Sequence, residues 1–180
     1  MTDPRPLRYL SGYPHAVLQH AGALLAEHRL MAWVLERHPE RHTLRTDRAL
    51  HDHVQALKDE AMRSSPRLDK VVWDGKLERV RQALGTHTAI SRVQGGRLQA
   101  KREIRIATVF RDGPADFLAM IVAHELAHLR EPDHDKRFYA LCEHLAPDYH
   151  RLELDTRFWL TALELEPAAE DGDVQRPGLG

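Results

Sequence analysis

The sequence predicts an α+β fold, a mainly helical single domain with a small β-sheet packed on one buried helix. Three observations predict it. Apolar residues recur at helical spacing along most of the 180 residues. One stretch, Glu103 to Phe110, instead alternates with period two behind a turn signal at Gly95-Gly96. Residues 114–130 are apolar nearly all round, as in a helix enclosed by the core.

Length and composition bound the domain organisation. The chain is about the size of one domain, expected over 1–165, with the polar, Pro- and Gly-rich stretch 166–180 as a disordered tail. Hydrophobic residues make up 42% and charged residues 29%, enough for a core without disulfide or metal staples. A single cysteine, Cys142, excludes a disulfide framework and any cysteine-rich zinc finger or ribbon. The longest apolar run, Phe117 to Ala123, is far short of the roughly twenty residues a bilayer span needs. No apolar segment of a secretory signal follows Met1, so no membrane passage is expected and the default address is the cytoplasm.

Elements follow in order. Val17, Leu18, Ala21, Leu24 and Leu25, then Leu30, Val34 and Leu35, predict one or two helices over 14–38, ended by Pro39. Thr46 or Asp47 can cap a helix with Leu50, Val54, Leu57 and Ala61 on one face, broken at Ser64-Ser65-Pro66. Asp74 is read as the cap of a short helix carrying Leu77, Val80 and Leu84, with Gly85 as its stop. Thr88 to Val93 and Glu103 to Phe110 read as two strands joined through Gln94-Gly95-Gly96-Arg97. Pro114 suits the start of the buried helix and Pro132 its stop. Further helices are expected from about Asp135 to Leu145 and from about Tyr149 to Leu165.

The buried helix contains His124-Glu125-Leu126-Ala127-His128. Residues four apart stack on one helix face, so both imidazoles can reach one metal ion. Glu125, rotated by about 100°, misses the ion but can reach a water beside it. Two ligands and a general base from one rigid helix are the mechanical content of the HExxH zinc-hydrolase motif. Histidines in an apolar helix are costly without partners, which favours the metal reading over a pair of core histidines. Thirteen histidines in the chain supply further ligands. His134 follows His128 by six residues, and Pro132 lets the chain turn back. Glu131, Asp133, Asp135 and a thermolysin-like Glu143 are the alternatives. The metzincin pattern is excluded, because Glu131 stands where it needs Gly and no methionine follows.

Three stretches carry a resemblance: Thr88 to Gly96, TAISRVQGG; His124 to Tyr139, HELAHLREPDHDKRFY; and Pro147 to Trp159, PDYHRLELDTRFW. They resemble the YgjP-like metal-dependent hydrolases, relatives of the SprT-like and WLM minimal zinc proteases, over about Leu7 to Glu164. The resemblance implies a zincin-like fold, a Zn²⁺ cofactor on His124, His128 and His134, and Glu125 as catalytic base. The family is usually called metallopeptidase, and UTP pyrophosphatase activity is also assigned within it.

The leading expectation is therefore a zinc-dependent metallopeptidase. The alternative is a metal-dependent nucleoside triphosphate (UTP) pyrophosphatase, and a third is a non-catalytic zinc-stabilised binding module. Partners would be a peptide or a nucleotide. Residues 63–111 carry twelve Lys and Arg against four Asp and Glu, while the whole chain has a net charge of -1. That basic segment, including Arg92, Arg97, Lys101, Arg102 and Arg105, can face a polyanion or form a solvated, internally paired surface. Tyr139, His144, Tyr149 and His150 are candidate oxyanion donors, and Arg137 a candidate contact for a substrate carboxylate or phosphate.

Overall fold

The structure, a computed structural model, describes residues 7–75 and 102–166. Its helices are α1 (His15–Ala26), α2 (Leu30–Arg37), α3 (Asp47–Ala61), α4 (Ala115–Ala127), α5 (Lys136–Leu145) and α6 (Tyr149–Leu165), and its strands β1 (Lys70–Asp74) and β2 (Glu103–Ala107). The protein is a mainly helical α+β domain with a small sheet, as the periodicity predicts. No helix among the described residues is long and apolar enough to cross a membrane.

Local chemistry sets the boundaries. Thr46 caps α3 by accepting from Ala49 N at 3.1 Å, and Asp135 caps α5 by accepting from Arg137 N and Phe138 N at 2.9 and 3.0 Å. Pro114, in extended conformation, opens α4. The break between α1 and α2 comes at His28, with φ of 53°, and α2 is then capped from a distance. Glu166 accepts from Leu30 N and Met31 N at 2.8 and 2.9 Å. Glu166, expected to begin the disordered tail, is thus a fixed structural residue.

The sheet differs from expectation. β1 and β2 pair in parallel, with Lys70 opposite Glu103 and Asp74 opposite Ala107. Residues 70–74, KVVWD, form a strand that the sequence reading passed over, with Asp74 as its last residue. Val71, Val72, Ile104 and Ile106 are buried. β2 stops at Ala107 because residues Thr108–Arg111 tighten into a 3-10 turn that buries Phe110. The first strand of the expected hairpin, Thr88 to Val93, its turn, and the helix expected over Leu77 to Leu84 lie outside the described residues.

α4 is enclosed by β2, α5 and α6. Nine of its residues are buried, from Phe117 to Ala127, so its face cannot shift without repacking the core. α6 also packs on α1 and α2. Its buried Thr156 and Thr161 hydroxyls donate to the carbonyls of Leu152 and Arg157, both at 2.7 Å, and so carry no unpaired donor into the core. The junction before α4 is tight. A Cβ on Gly113 would lie 2.7 Å from Trp159 Cη2, and that indole is wedged between Phe110 and Phe117 at ring separations of 5.7 and 5.3 Å. Gly113→Ala should therefore destabilise the protein by about 1–3 kcal/mol through overpacking, read as a lower denaturation midpoint. An unchanged midpoint would mean that Trp159 is free to move aside.

Candidate metal centre

His124 lies in the last turn of α4 and His128 is its C-terminal cap residue. Beyond it the chain tightens, with Leu129 N, Arg130 N and Glu131 N bonded to the carbonyls of Leu126 and Ala127. Pro132 then ends the turn, and Asp135, fixed as the α5 cap, returns the chain toward the helix. His134 is carried back with it. Its Nε2 lies 3.0 Å from Nε2 of His128 and 3.3 Å from Nε2 of His124, and the latter two are 3.2 Å apart.

Those separations match a tetrahedral ion. Metal–nitrogen bonds of about 2.0–2.1 Å at tetrahedral angles place neighbouring nitrogens about 3.3 Å apart. Protonation makes the same point. His128 Nδ1 sits 3.1 Å from the carbonyl oxygen of Glu131. A carbonyl only accepts, so Nδ1 carries the proton and the Nε2 of neutral His128 is a lone pair. His124 Nδ1 lies 2.7 Å from the Tyr149 hydroxyl. Burial pushes the His124 pKa well below the ordinary histidine value, with the His128 and His134 rings adding to the shift. Burial likewise lowers His128. The three Nε2 atoms converge on one point, where a cation would be met by three nitrogen lone pairs. The three histidines can hold a metal ion. Phe138, fully buried on α5, packs against all three rings at 5.0, 4.5 and 4.7 Å. Glu125 is half-buried on α4 beside His124.

The other sequence candidates fall elsewhere. Glu143 is exposed and pairs with His150 at 3.5 Å, away from the cluster. Glu131 contributes its backbone carbonyl to His128, while its carboxylate accepts from Arg137 at 3.0 Å. The Tyr149 hydroxyl lies 2.7 Å from Nδ1 of His124, the ring nitrogen opposite the one that meets His128 and His134. Tyr139 flanks His134 at 6.3 Å between ring centres. His144 is exposed. Within the basic segment, Arg105 pairs with Asp74 and Glu103, Lys70 with Glu103 and Arg111 with Asp112. That much of its charge is internally compensated. Arg92, Arg97 and Lys101 lie outside the described residues. Cys142 is buried, its thiol pushed up to about 12 by desolvation, which keeps it unreactive.

Two measurements probe the centre. His134→Ala should abolish tight metal binding while Glu143→Ala leaves it intact, as read by metal analysis after dialysis; the reverse order would move the third ligand to α5. For the metal-free protein the lowered pKa of His124 gives a signed effect. The unfolded chain takes up a proton near pH 6.5, while the folded site resists it until lower pH, so the unfolded state binds more protons in that window. Stability should fall as pH drops below about 6.5, less steeply in His124→Gln, as followed by urea unfolding. Equal slopes would show that His124 is not the group responsible.

Known proteins bear on this geometry. A family model described as YgjP-like, metallopeptidase domain, matches residues 91–157, which include the histidine cluster, Phe138 and Tyr149. A protein of Escherichia coli (strain K12) named UTP pyrophosphatase is 52% identical over 159 residues, covering 88% of this chain and 95% of its own length. No solved structure matches the chain. Both descriptions are of hydrolases. With such identity over nearly the whole of both chains, and with the family's domain centred on the three converging histidines, the chain belongs to the YgjP-like family and is a hydrolase enzyme.

Proposed function

We propose that the protein is a zinc-dependent nucleoside triphosphate pyrophosphatase, splitting UTP or a close analogue with water into the nucleoside monophosphate and pyrophosphate. The observation that carries this reading is the 52% identity to the UTP pyrophosphatase over 88% of the chain. Three histidine nitrogens converging on one point fit a catalytic zinc site, which takes three protein ligands and a water, rather than a four-ligand structural one. They also argue against a non-catalytic module. A zinc ion there would supply Lewis acidity, lowering the pKa of water to about 7 and offsetting phosphate charge.

The chain's own residues account for the rest. His124 and His128 would hold the ion from a helix enclosed by the core, and His134 from an exposed turn fixed by the Asp135 cap. Glu125, one residue from His124, takes the proton of the attacking water. Phe138 shields the ligand rings from solvent on the α5 side, which strengthens the electrostatics of the site. Metallopeptidase action, the first expectation from the motif, is the second reading, and the description of the matching family domain favours it.

Zinc-loaded protein offered UTP, other nucleoside triphosphates and a denatured protein in parallel should release pyrophosphate and leave the protein substrate intact. Proteolysis without nucleotide turnover would instead establish the peptidase. Glu125→Gln should fold, retain a single zinc per chain and lose hydrolysis by about 10²–10⁴-fold, since the amide cannot accept the proton. Undiminished turnover would show that the activity arises elsewhere.

A further inference from the structure

Opposite the point where the three histidines converge, His124 meets one further side chain, Tyr149. We propose that Tyr149 is a positioning residue for the metal centre: its hydroxyl oxygen accepts the Nδ1 proton of His124 and locks that imidazole with its Nε2 lone pair on the metal. The inference rests on the metal-binding reading above and assigns a residue that acts through the ligand.

Geometry carries it. The hydroxyl lies 2.7 Å from Nδ1, and the two ring planes are within 21° of each other. The ring centres are 6.4 Å apart, close to the sum of the hydrogen bond, the phenolic C–O bond and the two ring radii. The bond therefore runs end to end, along the in-plane direction of the nitrogen. Tyr149 is itself immobile. It is fully buried and is the first residue of α6, introduced by Asp148 in the left-handed region at φ of 65°. The Cys142 thiol on α5 lies beside its hydroxyl and is the acceptor that the tyrosine proton can turn to.

Donors and acceptors then assign themselves. If the tyrosine donated to Nδ1, His124 would carry its proton on Nε2 and point it at the Nε2 atoms of His128 and His134, which blocks a metal. With the proton on Nδ1 the chain runs from His124 N–H to the tyrosine oxygen, and from the tyrosine O–H to the Cys142 sulfur. Every group is satisfied and Nε2 is free to coordinate. His128 gets the same service from the Glu131 backbone carbonyl, which no side-chain substitution removes. Tyr149 is the counterpart that can be mutated.

The test uses the full chain, comparing Tyr149→Phe and Cys142→Ser with wild type. Zinc affinity is measured by competition with a chromogenic chelator, ligand geometry by the visible spectrum of the cobalt-substituted protein, and fold by thermal unfolding of the metal-free proteins. Tyr149→Phe should fold, bind zinc about 10–100-fold more weakly and show shifted cobalt bands. Cys142→Ser, which keeps an acceptor for the tyrosine proton, should retain wild-type affinity and bands. Wild-type affinity with unchanged cobalt bands in Tyr149→Phe would overturn the proposal and leave the metal site standing. A wild-type protein that binds no zinc would overturn the metal reading and this inference together. Should Tyr149→Phe fail to fold, nitrogen NMR of the wild type decides. A protonated Nδ1 on His124 supports the assignment and an unprotonated one refutes it.

Discussion

Three imidazole nitrogens held 3.0–3.3 Å apart are the constraint on which the rest of the structure depends. Lone pairs at that spacing repel unless a cation sits among them, so the fold must hold them against that repulsion in the absence of metal. Two come from one helix at a spacing of four, which works only if the helix neither frays nor rotates. Burial of α4 on nearly every side meets this requirement, and its nearly uniform apolar surface is the sequence cost of it. The third comes from a turn, and turns are mobile by default. Here the Asp135 cap, the tightened end of α4 and the Phe138 ring together fix His134.

How much of this was legible follows from how local each interaction is. The helices are written in residues three and four apart or, for α4, in an apolar stretch too long for a strand. The His124–His128 pair is equally local, and His134 is betrayed by its short offset and by Pro132. The strand at 70–74 escaped because five residues are too few to show a period and Asp74 reads equally well as a helix cap. Parallel pairing escaped because the choice of partner is made by contacts across a long connection. β2 ended early because Phe110 reaches the core from a 3-10 turn as well as from a strand. At the site, the sequence named Tyr149 as a candidate oxyanion donor and Glu131 as an alternative ligand. In the structure the Tyr149 hydroxyl meets Nδ1 of His124 and the Glu131 backbone carbonyl meets Nδ1 of His128, and spacing encodes neither contact.

The long helix α6 explains how distant parts of the chain come to agree on one site. Tyr149 at its start reaches His124 on α4. Two turns on, Asp155 accepts from His38, whose other ring nitrogen meets Asp116 in the first turn of α4, at 2.9 and 2.7 Å. One turn further, Trp159 packs on Gly113 just before α4 begins. Ten residues of α6, about 15 Å, thus touch both ends of α4. Just past its C-terminus Glu166 caps α2, the helix whose C-terminal cap residue is His38. A slip of α6 by one residue would rotate it by about 100° and break all of these contacts at once. Contacts that fail together act as one cooperative unit, so the hydrogen bond on His124 is held by the whole α2–α4–α6 layer. The apolar core is therefore part of the metal site's geometry: it sets the register on which an imidazole tautomer depends.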